Sequence, residues 1–385
     1  MSNLFKDIFS KMTGGSGGND NSAVGIDIGS SAIKVVEIRK NGGRVILETY
    51  GAIALGPYAD LEAGQVTNLS VEKSAEALVE VLKQSGSSAS KPAFAIPVQL
   101  SLIFTIELPA QITESQIGEI VPTEARKYIP LPINEVSMDY FVFPKKELSF
   151  EEMNKGETDE NNPGGVNNRV PQKEKTNVLV VATQNDAVAR YRSIISESKL
   201  DASFFEIETF SAIRSNFEHE LSPVLLMDFG ASRTKLSIVE FGMLKSFHSI
   251  DRGGADISKS ISQALSIPFG EAEKIKKEFG LFGDESNKSV AEIIEVHTNY
   301  IFHETNTALL DYEKKHNRII SKVIFTGGGS LLKGLLEVAT NNFRAEVVIG
   351  HPFNKVGAPS FLSKVLEQVG PEFSVALGLA LRKLQ

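Results

Sequence analysis

The spacing of apolar residues along the chain alternates between the period of a strand and the period of a helix. The predicted strands cover 23–28, 33–39, 44–54, a pair of strands within 92–108, 178–183, the strand–turn–strand–hairpin segment 222–250, and 321–325. The predicted helices follow Ser70 and Thr113 and cover about 186–198, most of 256–315 and a segment from about 330. Because strands and helices alternate, the pattern predicts an α/β fold.

Two segments break this alternation. Residues 1–12 place apolar side chains on one face of a short predicted helix, and the Gly- and Ser-rich stretch up to residue 22 predicts a flexible linker. An amphipathic segment on a flexible linker can bind a membrane surface, bind in a groove of a partner protein, or dock on its own domain. Residues 145–176 are dense in charge, Asn, Gly and Pro, which predicts a disordered loop inserted into a folded domain.

Composition excludes several kinds of site and partner. The chain has no cysteine, so disulfides, thiolate metal sites and thiol nucleophiles are excluded. Its net charge of −8 argues against nucleic acid as the main partner. No run reaches the roughly 18 consecutive apolar residues of a membrane span, and Lys6, Asp7 and Lys11 argue against a secretory signal. We therefore expect a cytoplasmic protein.

A motif of the form Asp, apolar, Gly, small, Ser, two variable residues, Lys occurs twice, 201 residues apart. The paired positions are Asp27 with Asp228, Gly29 with Gly230, Ser31 with Ser232, and Lys34 with Lys235. Each copy lies between two predicted strands. A duplication at matched positions predicts two lobes of one architecture.

The chemistry of these turns favours phosphate. Small residues let the backbone amides of a tight turn converge on phosphate oxygens, and a lysine on the outgoing strand adds a positive charge. Carboxylates at the ends of the incoming strands suit Mg²⁺ held largely through water. A third turn, Thr326–Ser330, contains Gly327, Gly328 and Gly329 between a strand and a helix, as is typical of close backbone approach to a ligand.

Together these turns resemble the motifs of the actin, sugar-kinase and heat-shock ATPase superfamily. VGIDIGSSAIKVVEI and MDFGASRTKLSI are similar to its two phosphate motifs, and TGGGSLLKGL is similar to its adenosine motif. Within the superfamily the chain resembles the FtsA-like branch. The segment IVPTEARKYIPLPINEVSMDYFVF, residues 120–143, resembles the type IV pilus assembly PilM family in particular.

The resemblance implies a two-lobed actin-like ATPase fold with duplicated ribonuclease-H-like cores and an inserted subdomain. The implied boundaries are a tail at 1–22, lobe I at 23–221 with the subdomain at about 93–182, lobe II at 222–360 with a helical subdomain at about 256–318, and a C-terminal helical segment at 361–385.

The resemblance also implies a site for ATP and Mg²⁺. The implied phosphate contacts are Gly29, Ser30, Ser31, Lys34, Gly230, Ala231, Ser232 and Thr234. Asp27 and Asp228 would order the waters of the metal ion. Glu273 and Lys276 would meet the ribose and base, and Gly327, Gly328 and Gly329 would pass beneath the adenosine. Glu208 is the candidate for orienting a hydrolytic water, although a structural role for it is equally consistent with the sequence.

The implied function is an ATP-binding scaffold of the pilus assembly machinery, with slow hydrolysis at most. Its implied partner is the N-terminal cytoplasmic tail of a PilN-like bitopic membrane protein, and a pilus motor ATPase and a platform protein are further candidate partners. This partnership implies peripheral association with the inner membrane. Two alternatives stay open: an FtsA-like division protein, expected to carry a further amphipathic helix after its core, and a small-molecule kinase, which requires a catalytic Asp beside a substrate pocket.

Overall fold

The computed structural model describes residues 21–88, 91–109, 111–143, 175–218, 220–283 and 287–384. The predicted tail and insertion lie outside these ranges, apart from Asn21, Ser22, Lys175 and Thr176. The described residues fall into a main unit, within Met1–Ser101 and Gln184–Gln385, and a smaller unit, within Leu102–Thr183.

The strands of the described chain are β1 Ser22–Ile28, β2 Ala32–Asn41, β3 Arg44–Ala54, β4 Ala93–Ile96, β5 Ser101–Pro109, β6 Val136–Val142, β7 Lys175–Gln184, β8 Phe205–Ile207, β9 Val224–Phe229, β10 Thr234–Glu240, β11 Met243–Ile250, β12 Lys322–Thr326 and β13 Glu346–Ile349. The helices are α1 Val71–Ser85, α2 Glu114–Ala125, α3 Asn185–Glu197, α4 Glu208–Asn216, α5 Gly254–Leu265, α6 Phe269–Phe279, α7 Lys288–His316, α8 Leu335–Asn342, α9 Ser363–Val369 and α10 Ser374–Leu384.

The main unit contains two sheets with the same strand order. The first sheet runs β3-β2-β1-β4-β8 and the second runs β11-β10-β9-β12-β13. In each sheet the first three strands form antiparallel hairpins, and the central strand then pairs in parallel with the fourth. The duplication predicted from the sequence repeat is therefore confirmed at the level of topology.

Helix α10 joins the core of the first sheet through unusually close backbone contacts. A Cβ placed on Gly378 would lie 2.8 Å from the Cα of Ser211 on α4, and one placed on Gly25 would lie 2.8 Å from the backbone nitrogen of Ala380. Buried Glu206 accepts hydrogen bonds from Arg214 of α4 at 2.7 Å and from Arg382 of α10 at 2.8 Å. Small residues and a paired charge together hold β1, α4 and α10 in contact.

The smaller unit is a three-stranded sheet of order β5-β7-β6 with α2 packed on one face. Its core includes Ile106 of β5, Val121 of α2 and Val180 of β7. One sequence expectation needs correction here, because the strands predicted within 92–108 do not pair with each other. β4 pairs with β1 and β8 in the first sheet, whereas β5 pairs with β7. Local periodicity identifies a strand and leaves its partner undefined.

We expect Gly378→Ala to lower the free energy of unfolding by about 3 kcal/mol, because the added methyl group would force α10 away from α4. Urea unfolding followed by circular dichroism measures the change. Gly86→Asn is the control, since Gly86 ends α1 in open space with a left-handed backbone that Asn tolerates. Equal stability of the two variants would contradict the packing described for α10.

Candidate functional site

One large cavity, of about 1340 Å³, lies between the two sheets of the main unit. Three turns reach it: the central strands β1 and β9 end in the duplicated Asp-x-Gly turns, and β12, the strand beside β9, ends in the glycine-rich turn. Since β1 and β9 occupy equivalent positions in the two sheets, the fold brings the two Asp-x-Gly turns, 201 residues apart in the sequence, to one place.

The first turn follows β1 and presents unused backbone donors. The amide of Gly29 donates to the carbonyl of Ala32 at 3.0 Å, which closes the turn. The amides of Ser30 and Ser31 donate to no acceptor within the described chain, and both residues line the cavity. Converging free amides are the feature by which a small-residue turn binds an anion.

The second turn repeats this geometry. The amide of Gly230 donates to the carbonyl of Arg233 at 2.9 Å, and Ala231 and Ser232 line the cavity. The start of α5 is fastened to this turn, because the amide of Ala255 donates to the carbonyl of Ala231 at 2.9 Å.

Thr234 is the predicted phosphate contact that the structure does not bring to the cavity. Its side chain is fully buried, lies outside the cavity lining, and donates to the carbonyl of Arg252 at 2.9 Å. Alternation along β10 explains the difference, because neighbouring residues of a strand point to opposite faces. Lys235, the next residue, faces the cavity instead.

Lys235 forms a buried charge cluster across the floor of the cavity. Its ammonium group lies 2.6 Å from Glu208 at the start of α4 and 2.9 Å from Asp228 on β9. Burial lowers the pKa of Lys235, but the two carboxylates outweigh burial and raise that pKa above its usual value. The cluster therefore joins the first sheet, through Glu208, to the second sheet, through Lys235 and Asp228.

Asp27 and Lys34 are the counterparts of this pair in the first sheet, and they are arranged differently. The two residues are register partners on β1 and β2, yet Lys34 forms no ion pair with a described residue. Burial raises the pKa of the Asp27 carboxyl from 3.8 to about 6; Lys34 and Lys235 oppose this rise, whereas Glu208 and Asp228 add to it. Within the part of the chain that the structure describes, the side chains of Lys34 and Asp27 thus have no hydrogen-bond partner at the cavity.

The glycine-rich turn after β12 packs directly on the second Asp-x-Gly turn. Gly327 has φ of +80°, and a Cβ placed on it would lie 2.7 Å from the carbonyl oxygen of Phe229. Ser330 donates to the carbonyl of Gly327 at 2.6 Å and stabilises the bend. Gly327, Gly328 and Gly329 all line the cavity. Because glycine has no side chain, the backbone of this turn faces the cavity directly.

Glu273 and Lys276 of α6 form a second charge cluster at another wall. The Lys276 ammonium group donates to Glu273 at 2.6 Å and to the carbonyl of Gly254 at 2.8 Å, while Ser258 also donates to Glu273. Burial lowers the pKa of Lys276, with Glu273 opposing that shift. Burial raises the pKa of Glu273, but Lys276, Ser258 and Lys277 together outweigh burial and lower it. The carboxylate is thus held charged and oriented beside the cavity.

Most of the predicted site residues line this cavity. The residues brought together are Asp27, Gly29, Ser30, Ser31, Lys34, Glu208, Asp228, Gly230, Ala231, Ser232, Glu273, Lys276, Gly327, Gly328 and Gly329. Sequence reasoning did not assign Lys235 or Ser258 to the site. The repeat itself contained the signal for Lys235, because Lys235 aligns with Lys34, whereas no sequence signal marked Ser258.

The two carboxylates expected beside a metal ion are not equivalent. Asp228 already pairs with Lys235, whereas Asp27 accepts no hydrogen bond from a described residue. Among the described residues, no group of three or more His, Asp or Glu side chains is arranged as a metal-ligand set. The donor set therefore fits an ion held largely by water and ligand oxygens beside Asp27, which is the manner typical of Mg²⁺.

The duplicated sheets, the paired Asp-x-Gly turns and the cavity between them define an actin-like fold. A family model described as type IV pilus assembly protein PilM matches residues 25–155 and 165–384. The chain belongs to this family of actin-like type IV pilus assembly proteins.

The chain also matches cell division proteins of the FtsA type, at low sequence identity. The cell division protein FtsA of Neisseria meningitidis serogroup B is 24% identical over 229 residues, covering 53% of each chain. FtsA of Bacillus subtilis is 27% identical over 177 residues, covering 40% of each chain. The chain spans about half the length or less of the FtsA relatives that it matches.

Solved structures support the same fold. The PilM-PilN type IV pilus biogenesis complex contains a chain with a TM-score of 0.76 and 23% identity, with 94% of this chain and 98% of that chain covered. The ethanolamine utilization protein EutJ of Carboxydothermus hydrogenoformans has a TM-score of 0.51 and 14% identity, with 94% and 89% covered. None of the helices within the described ranges combines the length and apolarity needed to cross a bilayer.

We expect Asp27→Asn to stabilise the ligand-free protein at pH 8 and to have little effect below pH 4. The folded state raises the pKa of Asp27 from 3.8 to about 6, so the charged carboxylate destabilises it above that range. The difference corresponds to about 3 kcal/mol at most, since one pKa unit is worth about 1.4 kcal/mol. Urea unfolding of both proteins between pH 4 and 8 measures it.

Asp228→Asn is the matched control for this prediction. It removes a carboxylate from buried Lys235 and should lower stability at neutral pH, the opposite direction. Parallel pH profiles for the wild type and Asp27→Asn would show that Asp27 titrates as an ordinary carboxyl group.

Proposed function

We propose that this chain is an ATP-binding scaffold of the type IV pilus assembly machinery, in which the occupancy of the cavity controls the affinity for a partner. One observation supports ATP binding: the two duplicated Asp-x-Gly turns and the glycine-rich turn all reach a single cavity. Membership of the PilM family supports the pilus part.

The phosphate chain would lie between the two duplicated turns. Free amides of Ser30 and Ser31 would donate to phosphate oxygens from one lobe, and the turn at Ala231 and Ser232 would do so from the other. Lys34 suits a direct phosphate contact, since it forms no ion pair within the described chain. Mg²⁺ would neutralise phosphate charge beside Asp27.

The nucleoside would lie toward α6 and the glycine-rich turn. Glu273 is held charged by Lys276 and faces the cavity, so its carboxylate can accept hydrogen bonds from ribose hydroxyls. Gly327, Gly328 and Gly329 would pass beneath the adenosine because they present backbone in place of side chains.

Glu208 bears on whether bound ATP is hydrolysed. One of its oxygens accepts a hydrogen bond from the amide of Val98 at 2.8 Å, and the other accepts one from Lys235 at 2.6 Å. Both oxygens of this carboxylate already accept bonds from the protein, which fixes its orientation and supports a structural role for Glu208. This arrangement favours retention of the nucleotide, with slow hydrolysis at most, and so favours a scaffold over a rapid enzyme.

We further propose that the partner is the N-terminal cytoplasmic tail of a PilN-like bitopic membrane protein. The chain covers 98% of the PilM chain in the PilM-PilN complex with a TM-score of 0.76, which supports a comparable binding surface. Such a tail would attach the protein to the cytoplasmic face of the inner membrane, assisted by the amphipathic residues 1–12. A motor ATPase and a platform protein are further candidate partners in the same assembly.

We expect ATP with Mg²⁺ to raise the thermal stability of the wild type, because a ligand that binds only the folded state stabilises it. At a hundredfold excess over the dissociation constant the gain is about 2.7 kcal/mol. Asp27→Ala should show a clearly smaller gain, measured by thermal shift over a series of ATP–Mg²⁺ concentrations.

Asp201→Ala is the control for that series, since Asp201 is an exposed carboxylate outside the cavity and should leave the ATP response unchanged. If Asp27→Ala and Asp201→Ala gave the same ATP-induced shift as the wild type, the assignment of the nucleotide site would be wrong.

We expect a synthetic N-terminal tail of a PilN-like protein to bind the full chain, with a dissociation constant that changes when ATP–Mg²⁺ is present. Fluorescence anisotropy of a labelled peptide measures both values, and a scrambled peptide is the control. Undetectable binding would remove the pilus partner from the proposal. Equal dissociation constants with and without ATP–Mg²⁺ would contradict the proposal that the occupancy of the cavity controls the affinity for the partner.

A further inference from the structure

An apolar surface lies at the border of the core that contains the start of β1. That core packs Ala23 of β1 with Leu366 of α9, and Leu362 lies partly exposed at its edge. Beyond this edge, Phe361 is 79% exposed and Val365 is 42% exposed within the described chain. Phe361, Leu362 and Val365 are called the α9 surface below.

The two exposed side chains of the α9 surface lie together. Leu362 and Ser363 both have right-handed helical backbone angles, so the short turn that contains Phe361 continues into α9. Phe361 and Val365 are four residues apart, which places them on one side of this helix. A phenylalanine side chain alone offers roughly 150–250 Å² of area to bury. Adjoining apolar side chains at the border of a core indicate a surface that another apolar element covers.

A short backbone path connects this surface to the residue at which the preceding chain joins β1. The carbonyl of Asn21 accepts a hydrogen bond from the amide of Lys40 at 2.7 Å, and Lys40 is the register partner of Val45 on β3. The amide of Gly357 donates to the carbonyl of Val45 at 2.8 Å. Neighbouring strands lie about 4.8 Å apart, so Gly357 is about 14 Å from Asn21. Phe361 follows Gly357 by four residues.

The chain before Asn21 is long enough to reach the α9 surface. Residues 13–20, rich in Gly and Ser, are eight in number. Eight residues span up to about 28 Å, twice the distance from Asn21 to Gly357. They join the core to residues 1–12, whose apolar side chains share one face of a predicted helix. Those side chains are Leu4, Phe5, Ile8, Phe9 and Met12.

The linker also favours residues 1–12 over a separate protein as the occupant of this surface. A segment held by a short flexible linker has an effective concentration on the order of millimolar at sites within its reach. A free partner of similar affinity would need a comparable concentration to displace it. The segment that is already attached beside the surface is therefore the favoured occupant.

We propose that residues 1–12 dock with their apolar face on the α9 surface and cover Phe361 and Val365. This inference goes beyond the proposed function and does not depend on the nucleotide site. The same apolar face would enter a bilayer, so docking and the membrane contact proposed above exclude each other. The docked segment is the state of the protein away from the membrane, and lipid binding releases it from the α9 surface.

Protection of a single thiol on the α9 surface tests the docking in the full chain. The chain has no cysteine, so Val365→Cys supplies one thiol, and its reaction with N-ethylmaleimide is followed by mass spectrometry. The thiol should react about tenfold more slowly than in a chain that also carries Phe5→Asp and Phe9→Asp. Tenfold protection corresponds to an effective concentration about ten times the dissociation constant of the segment for the surface.

Two controls accompany this measurement. Asn3→Asp with Ser10→Asp adds the same two charges to the opposite face of the predicted helix and should leave Val365→Cys protected. Val296→Cys places the thiol on α7 of the second lobe, where Val296 is 68% exposed, and should react at one rate with and without the Asp substitutions at Phe5 and Phe9.

Vesicles of phosphatidylethanolamine and phosphatidylglycerol test the competition with lipid. Their addition should raise the reaction rate of Val365→Cys to the rate measured with Phe5→Asp and Phe9→Asp, because the segment leaves the α9 surface for the bilayer. Continued protection in protein that sediments with the vesicles would show that docking and membrane contact do not compete. Failure of the full chain to sediment with vesicles would contradict the membrane contact of the proposed function and not the docking.

Three results would overturn the docking itself. Equal rates for Val365→Cys with and without Phe5→Asp and Phe9→Asp would show that the segment does not cover the surface. Loss of protection with Asn3→Asp and Ser10→Asp would show an effect of charge instead of apolar contact. Equal protection of Val296→Cys would show that the effect is not confined to the α9 surface.

Discussion

The ion-pair cluster of Lys235 with Glu208 and Asp228 is the interaction on which the arrangement of the site depends. It lies where the two sheets of the main unit meet, and it joins a carboxylate from the start of α4 to a cation from β10. Removing Lys235 would leave two buried carboxylates without their cation, and loss of a partner from a buried ion pair typically costs about 3–5 kcal/mol. The cluster therefore holds the bottom of the cavity, while residues 55–67, between β3 and α1, pack against α6 at another wall.

Duplication gives the molecule two similar turns, and the charges around those turns differ. In the second lobe the motif lysine, Lys235, is committed to protein carboxylates, whereas its counterpart Lys34 has no such partner in the described chain. The same asymmetry places the unpartnered carboxylate, Asp27, on the first lobe. One lobe thus supplies the groups suited to a ligand and its metal ion, and the other supplies the structural ion pair.

Sequence patterns predicted the α/β class, the duplication and the family, and each of these is confirmed. The assigned roles of the site residues stay predictions. Thr234 shows why a motif is not sufficient: it lies in the repeat, yet strand alternation turns its side chain toward the carbonyl of Arg252. The strands predicted as a pair within 92–108 belong to different sheets, because pairing depends on long-range contacts that local periodicity does not record.

The sequence by itself determined the period of each element, the two Asp-x-Gly turns and the absence of thiol chemistry, because these follow from residue type and local spacing. Only the tertiary structure decided the partners of Lys235, the burial of Thr234 and the contact of residues 55–67 with α6. Those features join segments that are far apart along the chain. Which donor meets which carboxylate is therefore set by the packing of two sheets and their helices, and no local pattern encodes it.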